Sequence, residues 1–243
     1  MLSIRNLEKF TDQAQASIQN VVREYCQHLF LSYLYQQAGS EKLLFKGGTA
    51  LRIIFHSPRF SEDLDFTGVN IRQREVEEIF INTLTNIENT GIHMELVEGK
   101  STTGGYLGSA ICHAYEKTIP IHIEVSLREG RGLKGTRVLV ENDYIPAYTL
   151  VHLPKEEIIR GKMHALINRQ KPRDFYDYFF LLSGNYPSVK EKENLTRVLA
   201  LLKKTKINFR SELREFLPHS HAMHLRDFGK ILEQKIVSFL GKE

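Results

Sequence analysis

Cysteine is scarce in this chain. Only Cys26 and Cys112 occur in 243 residues, too few for a disulfide framework and consistent with two buried thiols in a reducing compartment. Long apolar runs are missing as well, and none approaches the roughly 20 residues of a membrane helix. The opening MLSIRNLEKFTDQ has neither the apolar stretch nor the small-residue cleavage site of a signal peptide. Repeats and low-complexity segments are absent. These features exclude membrane-spanning, disulfide-rich and fibrous classes, and the expectation is a cytoplasmic protein with no membrane partner.

The composition that is present, 42% apolar and 26% charged, is that of a globular protein, and the length is enough for one large domain or two small ones. The net charge of +4 is unevenly spread. Residues 151–243 hold 18 basic and 11 acidic side chains, or +7, which leaves the first 150 residues at −3. A basic second half fits a polyanion such as nucleotide or RNA, and equally fits a set of solvated helix faces.

The pattern changes along the chain. Residues 12–37 read as one long helix capped by Thr11 and ended by Gly39. Lys42–Phe45 reads as a strand, Thr49–Phe55 as a short helix, Asp63–Thr67 as a second strand and 72–90 as an amphipathic helix. Strand-like runs follow at His93–Val97, Gly105–Tyr115, Ile119–Leu127 and Arg137–Val140. After Pro154 helices dominate, at 155–169, 172–183, 188–203, 208–216 and 224–240. The expected fold class is α/β (α+β): a mixed sheet with flanking helices over 1–150, then a helical subdomain over 151–243.

Asp63 and Asp65 lie two apart, so in a strand both carboxylates share a face while Leu64 and Phe66 point to the core. Two close carboxylates repel unless a cation neutralises them, and magnesium favours oxygen ligands and substrate phosphates. Alone, such a pair reads as surface acid. Upstream, Gly47 and Gly48 permit a tight turn and close backbone approach. The helix that follows offers free N–H groups and the Thr49 hydroxyl to phosphate. Ile121-His122-Ile123-Glu124-Val125-Ser126 also alternates. If its strand neighbours that of Asp63, Glu124 becomes a third metal carboxylate; otherwise it is an exposed glutamate. His122 reads as surface or packing. Arg59 and Ser61, just before the acidic pair, are candidates to touch phosphate or metal-bound water. Arg128, Arg131, Lys134 and Arg137 form a basic loop around the glycines of 130–135 that fits RNA or a solvated turn. His219, His221 and His224 have metal-like spacing but no supporting cysteine or acidic cluster.

The run FKGGTALRIIFHSPRFSEDLDF, Phe45 to Phe66, resembles the signature of AbiEii-type nucleotidyltransferases in the DNA polymerase β-like superfamily. Gly48-Thr49 stands where the wider superfamily usually has Gly-Ser. EIIRGKMHALINRQKPRDFYDYFFLL, Glu157 to Leu182, resembles the family's lysine-containing helix followed by Arg-Asp-x-x-Asp. Together the two stretches cover about 48 residues. Read without the resemblance, Lys162 is a solvated lysine, and Asp174 and Asp177 cap a helix N-terminus.

The resemblance implies transfer of NMP from an NTP to a hydroxyl, with pyrophosphate released. Asp63, Asp65 and Glu124 would hold magnesium, in two ions, or manganese. Lys162 and Arg173 would face phosphates, and Asp174 would contact nucleotide or order the basic groups. It further implies a toxin with a cognate antitoxin and the 3′ end of tRNA as acceptor. Two alternatives stay open: nucleotide or RNA binding without turnover, and a protein or small-molecule acceptor.

Overall fold

The computed structural model describes residues 2–128 and 132–241. The chain divides into two compact units, one of residues 1–56 and 60–154, the other of residues 57–59 and 155–243.

The first unit begins with two helices, α1 (Ile4–Ala14) and α2 (Ile18–Leu34), where the sequence predicts one. The break has a local cause. Gln15 adopts a left-handed conformation with φ 51°, and Ser17 starts a new helix by accepting a hydrogen bond from the Asn20 amide. Thr11 is therefore no cap. It lies within α1 and donates its hydroxyl to the Leu7 carbonyl.

Among the described residues, seven strands form one sheet: β1 (Leu43–Lys46), β2 (Asp63–Gly68), β3 (His93–Thr102), β4 (Gly105–Ala114), β5 (Lys117–Ser126), β6 (Thr136–Val140) and β7 (Tyr148–His152). Their order is β3-β4-β5-β2-β1-β7-β6. The sheet is mixed, with β2–β5 and β1–β7 parallel and the other pairs antiparallel. Between β1 and β2 lies α3 (Gly47–Ile53), and between β2 and β3 lies α4 (Gln73–Glu88).

Strict alternation builds the core. Leu64, Phe66, Ile121, Ile123 and Val125 are buried with residues of α2 and α4 in one apolar cluster. Phe30 of α2 meets Phe80 of α4 at 5.9 Å between ring centres, and Phe80 meets Tyr106 of β4 at 6.1 Å. Each fully buried large apolar side chain contributes about 1.5–3 kcal/mol, which fixes which face of β2 and β5 turns inward. Cys26 and Cys112 lie within this cluster as free thiols, their sulfurs 2.9 Å apart.

The second unit is helical: α5 (Lys155–Arg169), α6 (Pro172–Ser183), α7 (Lys192–Lys204), α8 (Phe209–Leu213), α9 (His219–Ala222) and α10 (Phe228–Leu240). Pro172 opens α6 at a position where its missing N–H costs nothing. Phe228 anchors the core, with Phe209 at 4.9 Å, Phe179 at 5.2 Å and Tyr176 at 5.6 Å between ring centres. No helix among the described residues is long and apolar enough to cross a membrane.

Candidate active site

The register of β2 against β5 decides the acidic face. Asp63 aligns with His122, Leu64 with Ile123, and Asp65 with Glu124. Leu64 and Ile123 are buried in the core, so Asp63, Asp65, His122 and Glu124 share the opposite face. Neighbouring strands lie about 4.8 Å apart, which puts Glu124 one strand from Asp65. On the other side of β2, Lys46 aligns with Asp65. One row across the sheet is therefore Lys46, Asp65, Glu124 and Leu107, and the next is Asp63, His122 and Ser109.

Asp63 and Asp65 are half-buried and Glu124 is exposed. Among the described residues, the side chains of Asp63 and Glu124 have no hydrogen-bond or ion-pair partner. Among those residues, too, no three His, Cys, Asp or Glu side chains converge on a point that holds a metal ion. The three carboxylates share a face without being drawn into one coordination sphere. Their chemistry, hard oxygen donors in adjacent rows, still fits a hard divalent cation, since like charges at this spacing spread unless a cation offsets them.

Gly47 shapes the floor beside Asp65. β1 passes into α3 without a loop, and Gly47 makes the turn at φ 87°. A Cβ there would run into the Asp65 carboxylate, meeting its Cγ at 2.8 Å and its Cβ at 2.9 Å. Only glycine gives both the left-handed backbone and the close approach. The predicted helix start at Thr49 moves back to Gly47, and α3 spans only 7 residues. Gly48 is buried. Thr49 is 0% exposed, and its hydroxyl donates to the Asp63 carbonyl at 2.5 Å. Its proton is committed to tying α3 to β2, which corrects the expectation of a hydroxyl open to phosphate. Ser61 is half-buried, and its carbonyl accepts from the buried Gln27 side chain at 3.0 Å.

In the helical unit, the predicted phosphate ligands are occupied by carboxylates. Arg59, 4% exposed, donates to both oxygens of Asp177, at 2.8 and 3.0 Å. A side chain buried and held in this way does not face phosphate, and that expectation is corrected. Lys162 donates to the same carboxylate at 2.7 Å, with its side chain 11% exposed. Burial pushes the Asp177 pKa up, but Arg59 and Lys162 outweigh it and hold the carboxyl at about 2. Asp174 accepts from Arg169 at 2.6–3.2 Å and from the Lys171 amide at 3.0 Å. It orders a basic group and caps α6. Arg173 forms an ion pair with Glu212 at 3.0 Å that lacks hydrogen-bond alignment.

Two residues lie within the quoted motifs but were left out of the candidate site. Asp177 is the centre of the buried ion cluster. Its signal was the second aspartate of Arg-Asp-x-x-Asp, which reads as helix capping until the helix face is known. Lys46 stands beside Asp65, and its signal was its place directly before the paired glycines.

Other candidates lie apart from the acidic face. A cleft of about 350 Å³ in the α/β unit is lined by Glu24, His28, Arg52 and Tyr144 among others, and includes none of the three carboxylates. Its buried acid is already satisfied, with Arg52 and Tyr144 donating to Glu24 at 2.6 and 2.8 Å. His221 pairs with the Tyr176 hydroxyl at 2.9 Å. In the basic loop, Gly130 and Arg131 lie outside the described residues.

Comparison with known proteins adds a family and a fold. The family model described as nucleotidyl transferase AbiEii toxin, type IV TA system, matches residues 29–241. Among solved structures, the chain is similar to a candidate nucleotidyltransferase from H. pylori, at 19% identity and a TM-score of 0.55, over 91% of this chain and 98% of that one. It is also similar to JHP933 from Helicobacter pylori, at 18% identity and a TM-score of 0.54, over 92% and 95%. At such identities the structural likeness speaks for the fold. No curated protein matches the chain.

Proposed function

Because the chain belongs to the AbiEii family of nucleotidyl transferase toxins, we propose that it transfers a nucleoside monophosphate from an NTP to a hydroxyl acceptor, releasing pyrophosphate, and that the acceptor is the 3′ end of tRNA. One observation carries the reading: Asp63, Asp65 and Glu124 occupy adjacent rows of one sheet face, beside a glycine that presses backbone against Asp65. In this proposal Asp63, Asp65 and Glu124 hold magnesium or manganese, in two ions. When bound, such ions stabilise the attacking and leaving oxygens of an in-line displacement.

The rest falls to the chain's own groups. Gly47 and Gly48 let the phosphates approach the backbone of α3. Lys46, in register with Asp65, adds a positive charge at the same row. Within the helical unit, Arg59, Lys162 and Asp177 together carry one net positive charge, which supports a phosphate-neutralising role for Lys162. A cytoplasmic setting and a cognate antitoxin complete the proposal.

A second reading, nucleotide or RNA binding without turnover, draws on the failure of the three carboxylates to converge. Label transfer from each α-labelled NTP into tRNA separates the two, run with wild type and with Asp63→Ala/Asp65→Ala. Labelled tRNA from wild type alone is the expected result. Equal labelling by both proteins would remove the acidic pair from the chemistry. NTP binding with no pyrophosphate release would favour the second reading, and a labelled protein or small molecule, identified by mass spectrometry, would replace tRNA as acceptor.

A further inference from the structure

His122 belongs to the acidic face by register. It aligns with Asp63 on β2 and with Ser109 on β4, and its neighbours Ile121 and Ile123 are buried on the other side of the sheet. The ring is exposed, so burial does not explain it as packing. Its orientation is nevertheless fixed, because Nδ1 and the Ser109 hydroxyl lie 3.2 Å apart in a hydrogen bond. Among the described residues Nε2 has no partner. A solvent-facing imidazole held by one nitrogen, with the other left over, is a placed hydrogen-bonding group. The same row ends in the Asp63 carboxylate, one strand spacing of about 4.8 Å away.

A nucleotidyl acceptor brings a hydroxyl to the carboxylates. If the acceptor ends in a ribose, a second hydroxyl sits on the adjacent carbon. We propose that His122 binds that vicinal hydroxyl, with Ser109 as its positioning residue, so that the pair recognises an acceptor ending in a ribose cis-diol. This rests on the nucleotidyl-transfer reading above and adds the feature of the acceptor that the protein selects. The ring acts by holding a hydrogen bond, and no change in its charge is required. His122 touches the acceptor and leaves the NTP to the glycines and cations. Ser109 acts only through the ring.

The decisive experiment pairs a deletion in the protein with a deletion in the ligand. Transfer is measured to tRNA with an ordinary 3′-terminal ribose and to the same tRNA with a 2′-deoxy terminus, for wild type, His122→Ala, His122→Gln and Ser109→Ala. Wild type is expected to prefer the ribose terminus by about tenfold in kcat/KM, the size of one hydrogen bond. His122→Ala is expected to lose that preference through a higher acceptor KM, with the KM for NTP within about twofold, because the two deletions remove the same contact. His122→Gln, whose amide still bonds a hydroxyl, recovers part of the preference, and Ser109→Ala loses part. An undiminished preference in His122→Ala overturns the assignment, as does a rise of both KM values together, the mark of a structural role. Asp63→Ala, run in parallel, keeps the two readings distinguishable. Transfer retained there overturns nucleotidyl transfer at this face and the proposal with it, whereas transfer lost there with His122→Ala unaltered overturns the His122 assignment alone.

Discussion

Asp177 of the helical unit and Asp63 of the sheet are both aspartates next to hydrophobic core, yet their surroundings are opposite. Asp177 is 1% exposed and receives three charged hydrogen bonds, two from Arg59 and one from Lys162. Asp63 is half-buried, has Asp65 two residues away on its own face, and has no side-chain partner among the described residues. The first arrangement spends its cations inside the fold, because a buried carboxylate left alone is costly. The second keeps the Asp63 carboxylate at a surface with no ion-pair partner among the described residues, with Lys46 in register with its neighbour Asp65. Charge that stabilises a fold is satisfied within the fold, and the proposed function assigns the unsatisfied Asp63 charge to a bound cation.

The sharpest way to break this comparison is to delete both acids in turn. Asp177→Ala leaves Arg59 and Lys162 buried without a counter-charge and is expected to cost about 3–5 kcal/mol of stability, measured by denaturant unfolding. Asp63→Ala is expected to leave the unfolding midpoint unchanged or raise it, since it relieves repulsion, while lowering nucleotidyl transfer by about a hundredfold or more. Equal stability losses in the two variants would abolish the distinction.

Acid sharpens the same contrast. The Asp177 pKa is lowered from 3.8 to about 2. A depressed carboxyl pKa contributes stability above the unfolded value and loses it as pH falls through the folded one. The helical unit is therefore expected to lose about 2 kcal/mol between pH 4 and pH 2. Asp177→Asn should start less stable and show a flatter profile over that window, read by far-UV circular dichroism during denaturant titration at each pH. An unchanged slope would mean that Asp177 does not carry the acid sensitivity.

Local patterns in the sequence exposed part of this architecture. Alternation in Asp63–Phe66 and Ile121–Ser126 sorted the polar faces from the core faces, because period-two burial is written in consecutive residues. Pro172 and the acids after it located α6, which runs from Pro172 to Ser183 as expected. What escaped depended on distant partners or on small local choices. Arg59 and Asp177 are 118 positions apart, so Arg59 looked available for phosphate, and Asp177 like a helix cap, until the fold joined them. β7, only 5 residues long, carried too little pattern to stand out between Pro146 and Pro154. The break between α1 and α2 turned on Gln15 and Ser17, a conformational choice the surrounding helical periodicity concealed. The pairing of β2 with β5 also needed the fold, since two alternating segments do not by themselves reveal that they are neighbours.

Gly47 combines a structural and a functional demand, as a backbone element whose shape serves a charged group. Gly47→Ala is expected to cost about 1–2 kcal/mol for the left-handed backbone, together with displacement of the Asp65 carboxylate that its Cβ would meet. Transfer should fall by more than the stability loss explains, when assayed well below the melting temperature. Full activity at reduced stability would show that Asp65 tolerates displacement and weaken the link between the turn and the acidic face.

The smallest expected effect comes from a half-exposed ion pair that is not placed among the three carboxylates. Arg173 and Glu212 keep 35% and 29% of their side chains exposed, so their charges stay partly hydrated although the paired Nε and Oε1 atoms are themselves covered. Their alignment also falls short of a hydrogen bond. Arg173→Ala is expected to change stability by about 0.5 kcal/mol or less, with the difference from wild type shrinking further in 0.5 M salt. If Arg173 faces phosphate as the family resemblance implies, the KM for NTP rises while stability barely moves. If it serves only as the partner of Glu212, Glu212→Ala reproduces its small stability effect and neither variant shifts that KM. Arg173 thus tests whether a cation of the helical unit can serve substrate while holding a carboxylate, the role that Lys162 would share in deeper surroundings.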